Sequence, residues 1–164
     1  MMGAGKSSIG PQLARRLGRR FIDTDAEVER AVGRRVAEIF EREGEPAFRR
    51  HESAAIEACC GEGAVVALGG GAIAEPGAPE RLASTGILVY LRARPETLLA
   101  RVGDTSSRPL LRGLEPAAQR ARLAGLLAQR RIAYESAAIV LDTDELPLAE
   151  LVESLAKRIE QEAR

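Results

Sequence analysis

Two spacings of apolar residues alternate along the chain. Short runs of aliphatic and β-branched residues occur at Arg20–Ile22, Ala64–Leu68, Ile87–Leu91 and Ala138–Leu141, each followed by turn residues or glycine. They predict strands. Between them, apolar residues recur three and four apart over Ser7–Leu17, Asp25–Val32, Val36–Glu43, Pro46–Cys60, Pro95–Val102, Pro116–Tyr134 and Pro147–Glu162. That period predicts helices, and Pro46, Pro95, Pro116 and Pro147 fall in first turns, where proline is tolerated. Strands separated by helices imply right-handed crossovers and a parallel sheet covered on both faces, an α/β fold in three layers. Gly10-Pro11 lies inside the first helical pattern and predicts a kink, because proline removes a helical hydrogen bond. Gly103–Gly113 carries no period and is read as a functional, mobile loop.

Composition narrows the picture. A length of 164 residues suits one domain spanning 1–164 and is short for two. At 45% hydrophobic and 29% charged, the chain has enough apolar material for a core. The 24 basic and 24 acidic residues cancel, so no global field recruits nucleic acid or a membrane surface. No apolar run approaches the ~20 residues of a membrane helix. Cys59 and Cys60 are adjacent, a poor geometry for a mutual disulfide, and no metal-ligand spacing surrounds them. A reducing cytoplasm is the simplest compartment.

The chemistry concentrates in five places. Gly3-Ala4-Gly5-Lys6-Ser7-Ser8 precedes an amphipathic helix, and Lys6 is one of only two lysines in the chain. Glycines let backbone N–H groups converge on phosphate, lysine reaches the β- and γ-phosphates, and the Ser7 hydroxyl can ligate Mg²⁺. The full phosphate-loop pattern needs a further glycine one position before Met1. Asp23 and Asp25 stand at a strand's C-terminal end, where α/β folds place ligand and metal contacts. Asp23 suits Mg²⁺ and Asp25 a hydroxyl; alternatively Thr24-x-x-Glu27 is a helix capping box. Arg49 and Glu52 share a helix face, as either a surface ion pair or part of a site. Gly69-Gly70-Gly71 follows a strand and permits close approach of a ligand to the backbone. Seven arginines lie within 101–131; Arg108, in the loop, is the candidate for neutralising a transferring phosphate, while Arg120 and Arg122 fit a solvated helix face.

Together these segments resemble the shikimate kinase family over nearly the whole chain. Met1-Met2-Gly3-Ala4-Gly5-Lys6-Ser7 is similar to its phosphate loop, Phe21-Ile22-Asp23-Thr24-Asp25 to its D-[ST]-D motif, and Phe48-Arg49-x-x-Glu52 to F-R-x-x-E. Gly69-Gly70-Gly71 matches its triple glycine and Arg108-Pro109-Leu110-Leu111 its lid. Arg130–Tyr134 resembles R-x-P-L-Y, with Ile132 and Ala133 in place of proline and leucine.

The resemblance implies transfer of the ATP γ-phosphate to the 3-hydroxyl of shikimate, with Mg²⁺, on the way to chorismate and aromatic amino acids. It implies that Gly3, Ala4, Gly5, Lys6, Ser7, Ser8, Arg101 and Arg108 serve ATP, with Arg101 stacked on adenine. Ser7 and Asp23 would serve Mg²⁺, and Lys6, Asp25 and Arg108 the catalysis. Asp25, Arg49, Gly70, Gly71 and Arg130 would hold shikimate, the paired arginines forking onto its carboxylate. A monomer with no nucleic-acid or membrane partner is expected. Two alternatives remain open here: a related kinase for another small polar metabolite such as gluconate, and a non-catalytic nucleotide-binding domain. The resemblance also implies a parallel sheet of order 2-3-1-4-5 whose first strand precedes the phosphate loop and is missing from this sequence. The expectation is therefore an apolar β-rich run upstream of Met1, and an unfilled slot between Ala64–Leu68 and Ile87–Leu91.

Overall fold

The structure, a computed structural model, describes residues 1–59, 61, 63–103, 105, 108 and 110–163. In chain order the elements are α1 (Lys6–Arg16), β1 (Phe21–Asp23), α2 (Thr24–Val32), α3 (Val36–Cys59), β2 (Val65–Ala67), a 3₁₀ turn (Ala72–Ala74) and α4 (Ala78–Ala83). There follow β3 (Val89–Arg92), α5 (Pro95–Val102), α6 (Pro116–Glu135), β4 (Ile139–Asp142) and α7 (Leu148–Glu162). The two helices expected at Val36–Glu43 and Pro46–Cys60 are the two arms of α3. Gly44 breaks them apart with φ 80° and ψ 173°, so Pro46 opens a fresh helical turn. The turn at Ala72–Ala74 and the six-residue α4 are too short to show a 3.6-residue period, and no element was expected there.

α1 runs through Pro11 as one helix, so the kink expected at Gly10-Pro11 does not divide it. Gly10 has its own reason. A Cβ there would lie 2.3 Å from the Phe21 ring, so glycine lets α1 settle on β1.

The strands form two parallel pairs. β1 pairs with β2 in the register Phe21↔Val65 to Asp23↔Ala67, and β3 with β4 from Val89↔Ile139 to Arg92↔Asp142. No pairing joins β2 to β3 among the described residues. Between them lies a cavity of about 320 Å³, lined by Val65–Gly70 and Ile87–Leu91. Both pairs thus stand in strand order around the slot expected from the sequence.

Alternation along the strands sends side chains to two cores. Val65, Ile87 and Val89 join Ile9, Leu13 and Leu155 beneath α1 and α7. Leu68, Leu88 and Tyr90 join Ile73, Leu82 and Tyr134 on the opposite face. A third cluster (Val28, Ile39, Phe48) packs α2 against α3. β2 and β3 are nonetheless mostly half-buried rather than fully buried, the state of strands with one side unpaired. No helix among the described residues is long and apolar enough to cross a membrane.

Candidate functional site

The phosphate-loop candidate begins the site. Gly3 and Gly5 adopt φ of 71° and 96°, left-handed values that glycine takes without strain. A Cβ on Gly3 would sit 2.5 Å from the Leu98 carbonyl oxygen, so the loop curls against α5. Gly5 caps α1, and its carbonyl accepts from the N–H groups of Ser8 and Ile9 at 3.0 and 2.8 Å. Lys6, Ser7 and Ser8 occupy the first turn, with both serines exposed at the positive end of the helix dipole. The Lys6 ammonium donates to the Met1 carbonyl at 3.0 Å, holding the curl closed. Burial lowers the Lys6 pKa; Asp25 and Asp23 oppose that shift and Arg108 adds to it, so all four charges face one region.

Asp23, rather than the Thr24-x-x-Glu27 box, caps α2. Its Oδ1 accepts from the N–H groups of Asp25 and Ala26 at 3.0 and 3.5 Å. Thr24 is fully buried instead, donating to the Ala67 carbonyl at 3.2 Å and accepting from the Gly69 N–H at 3.1 Å. It welds the D-T-D segment to the glycine turn. Neither contact has a local sequence signal, because both cross from one strand to the next. Ser7 and Asp23 offer one hydroxyl and one carboxylate to a cation. No cluster of three acidic, histidine or cysteine side chains suited to a metal occurs among the described residues. That donor set fits Mg²⁺, which keeps several waters and takes its remaining ligands from phosphate.

Asp25 is the most distinctive carboxylate. Its Oδ1 is buried without a hydrogen-bond partner among the described residues, as is Oε1 of Glu52. Burial and the neighbouring Asp23 raise the Asp25 pKa, against the pull of Lys6, Arg108 and Arg49. Glu52 is raised likewise by burial, opposed by its bond to Arg49.

Arg49 projects from the second arm of α3 with both ends of its fork engaged. Nη1 donates to Glu52 and Nη2 to Glu45, each at 2.6 Å, and its guanidinium lies 5.2 Å from the Phe48 ring centre. Desolvation alone would lower the Arg49 pKa, but the Glu45 and Glu52 bonds outweigh it and the net shift is upward. The three glycines are small because these groups crowd them. A Cβ on Gly69 would fall 1.9 Å from Oε1 of Glu52, and one on Gly71 2.1 Å from Nη2 of Arg49. A Cβ on Gly70 would lie 3.2 Å from the Met1 Cα.

From α6, Arg130 donates to the Gly70 carbonyl at 3.0 Å and the Tyr134 hydroxyl donates to the same oxygen at 2.6 Å. Tyr134 stacks on Tyr90 with ring centres 4.7 Å apart. Arg49, Gly71 and Arg130 therefore line one pocket, of about 360 Å³, with Glu45, Glu75 and Gln129 on its walls. Arg122 lines it too. It is exposed, as the solvated-face reading expects, and lies on the same stretch of α6 as Arg130, eight residues on.

Neither Arg101 nor Arg108 lines that pocket. Arg101, on α5 one turn beyond Leu98, donates to the Thr143 hydroxyl at 2.8 Å and to the Thr143 carbonyl. Of the loop, Asp104, Ser106, Ser107 and Pro109 lie outside the described residues. Gly103 and Gly113 bound it with φ of 61° and 73°. Leu111 is fully buried in the core, and Arg112 pairs with Glu41.

Known proteins resemble the chain in sequence and in fold. A family model described as shikimate kinase matches residues 2–160. A shikimate kinase of Bordetella pertussis is 44% identical over 98% of this chain and 75% of its own length. That of Symbiobacterium thermophilum is 42% identical over 98% and 93%, respectively. Among solved structures, shikimate kinase from Acinetobacter baumannii in complex with shikimate superposes with a TM-score of 0.91 at 36% identity, covering 98% of this chain and 89% of that one. The Aquifex aeolicus enzyme superposes with a TM-score of 0.82 at 31% identity, covering 99% of this chain and 94% of that one. The chain belongs to the shikimate kinase family.

Proposed function

We propose that the chain, acting as one domain, transfers the γ-phosphoryl group of ATP to the 3-hydroxyl of shikimate. The observation that carries this reading is the single pocket that brings Arg49, Gly71 and Arg130 together beside the Gly69–Gly70 turn on which Asp25 and Met1 abut. Two arginine forks suit a carboxylate, and a buried aspartate beside them suits a hydroxylated ring.

The acceptor's carboxylate takes the place of Glu45, the exposed partner of Arg49, while Glu52 keeps the other end of the guanidinium fixed. Arg130 supplies the second fork, and the Gly70-Gly71 backbone leaves room for the ring. Asp25 accepts the hydroxyl hydrogen bond and orients the nucleophile; its raised pKa strengthens it as a proton acceptor. Gly3–Ser8 and Lys6 hold the phosphates, Arg101 stacks on adenine, and Arg108 with Lys6 neutralises the transferring group. Ser7 and Asp23 would hold Mg²⁺, which supplies charge neutralisation across the β- and γ-phosphates. The protein works as a cytoplasmic monomer without nucleic-acid or membrane partners.

Coupled measurement of ADP release tests this. Turnover that requires both Mg²⁺ and shikimate is expected. Equal turnover with gluconate, or bound nucleotide with no acceptor-dependent turnover, would overturn it.

A further inference from the structure

Thr24 opens α2 between the two aspartates, but its hydroxyl bonds across the fold rather than along the helix. A threonine in a first helical turn ordinarily serves nearby backbone groups. Here Asp23 caps the helix, and the Thr24 hydroxyl reaches forty-three and forty-five positions along the chain, to Ala67 and Gly69. The residue is fully buried, so both bonds are made out of water.

The consequence falls on Gly69, which is held on both sides. Its N–H donates to the Thr24 hydroxyl at 3.1 Å, and its carbonyl accepts from the Ala72 N–H at 3.1 Å. Two carboxylates rest against this one residue. A Cβ on Gly69 would lie 1.9 Å from Oε1 of Glu52 and 3.1 Å from Oδ1 of Asp25. Neither oxygen has a hydrogen-bond partner among the described residues. Packing against the Gly69 backbone, rather than a bond of its own, therefore limits where Oδ1 of Asp25 can sit. The next two residues of the turn carry the arginines: the Gly70 carbonyl accepts from Arg130, and Gly71 lies against Arg49.

We propose that the Thr24 hydroxyl is a positioning residue for the phosphate acceptor, fixing Asp25 and the Gly69–Gly71 turn at one mutual distance. The proposal rests on the kinase reading above. Thr24 acts through its neighbours, because it is buried beneath the turn and presents nothing to the pocket. Valine in its place has nearly the same shape but offers neither donor nor acceptor. The Ala67 carbonyl and the Gly69 N–H would then lose their bonds to residue 24, and the turn would drift from Asp25. Both Thr24 bonds run to β2 and the turn after it, so the loss falls on the acceptor and not on the nucleotide.

The test compares Thr24→Val and Thr24→Ser with the parent chain by coupled ADP release, varying shikimate and ATP separately. Melting curves and amide hydrogen exchange at Gly69 accompany it. Thr24→Val should lower kcat/KM for shikimate by about tenfold or more, the scale of a small misplacement of reacting groups. The KM for ATP should stay within about twofold, and the Gly69 amide should exchange faster. Thr24→Ser keeps the hydroxyl and loses a buried methyl, so it should melt lower than the parent. It should nevertheless restore kcat/KM for shikimate to within about threefold and keep the Gly69 amide protected. A purely structural threonine would give the reverse pattern, with activity following Tm. The proposal is overturned if Thr24→Val keeps the parent kcat/KM for shikimate, if serine is as impaired as valine, or if the KM for ATP shifts as far as that for shikimate. Failure of Thr24→Val to fold would assign the hydroxyl to stability and overturn it too. A parent chain without shikimate-dependent turnover would instead remove the kinase reading itself, and the proposal with it.

Discussion

The acceptor pocket and the inter-strand cavity meet at the Gly69–Gly71 turn and are held together in opposite ways. In the pocket, side chains satisfy one another. Arg49 bonds Glu45 and Glu52, while Arg130 and Tyr134 share the Gly70 carbonyl. These bonds involve α3, α6 and the turn after β2. In the cavity, the edges of β2 and β3 face each other with no strand pairing between them among the described residues. The phosphate loop depends on both strand pairs, because Met1 abuts Gly70 on one side and Gly3 abuts Leu98 on the other. Acceptor recognition therefore rests on local packing, and phosphate geometry rests on what separates the two pairs.

Asp25, at the border of the two regions, gives the largest expected effect. Asp25→Asn should lower kcat by about 100-fold or more, the scale of a lost general base. Its stability should move the other way. The folded Asp25 pKa is raised, by burial first and then by Asp23, so the folded state favours the protonated form. The stability this contributes is present below the ordinary carboxylate pKa and is lost as pH rises through the raised value. The Asn variant should unfold at higher temperature than the parent above that window, and the gap should close below it. Melting curves across acidic and neutral pH provide the check.

Next come the arginines, which separate the pocket from the phosphate loop. Arg49→Ala and Arg130→Ala should each weaken shikimate binding by about 30-fold or more, since losing one partner of a buried charge pair costs roughly 2–5 kcal/mol. ATP affinity should change little. Titration of each ligand against each variant tells the two apart, and a selective loss of ATP affinity would reverse the assignment.

Gly71→Ala should cost about 1–3 kcal/mol, as overpacking does. The new Cβ would sit 2.1 Å from Nη2 of Arg49 and push the guanidinium aside. A raised KM for shikimate with intact folding by circular dichroism is the expected signature. The smallest effect belongs to Tyr134→Phe, which keeps the stack on Tyr90 and removes the hydrogen bond to Gly70. It should cost about 1 kcal/mol, read as a few-fold rise in KM for shikimate at nearly constant kcat.

Much of this was legible in the sequence, for identifiable reasons. Gly3, Gly5, Lys6 and Ser7 stand together because a phosphate loop is a contiguous device. Arg49 and Glu52 share a helix face by simple periodicity. The strand and helix runs were legible because each is longer than its own period. What stayed hidden depends on contacts between distant segments. Thr24 bridges to Ala67 and Gly69, Tyr134 reaches Gly70 across sixty-four positions, and Arg122 becomes a wall of the pocket only when α6 lies over the glycine turn. The sequence left the cap of α2 open because Asp23 and Thr24 both have capping chemistry. Burial of Thr24 beneath the turn decides for Asp23.

The central claim is that a carboxylate clamp, built from Arg49 and Arg130, defines the acceptor. Calorimetric titration with shikimate and with its methyl ester tests it most directly, because the ester keeps every ring hydroxyl and removes the charge. Shikimate should bind about 30-fold or more tightly than the ester, in line with the cost of an unpaired buried charge, and the difference should shrink in Arg49→Ala. Equal affinity for acid and ester would contradict the account.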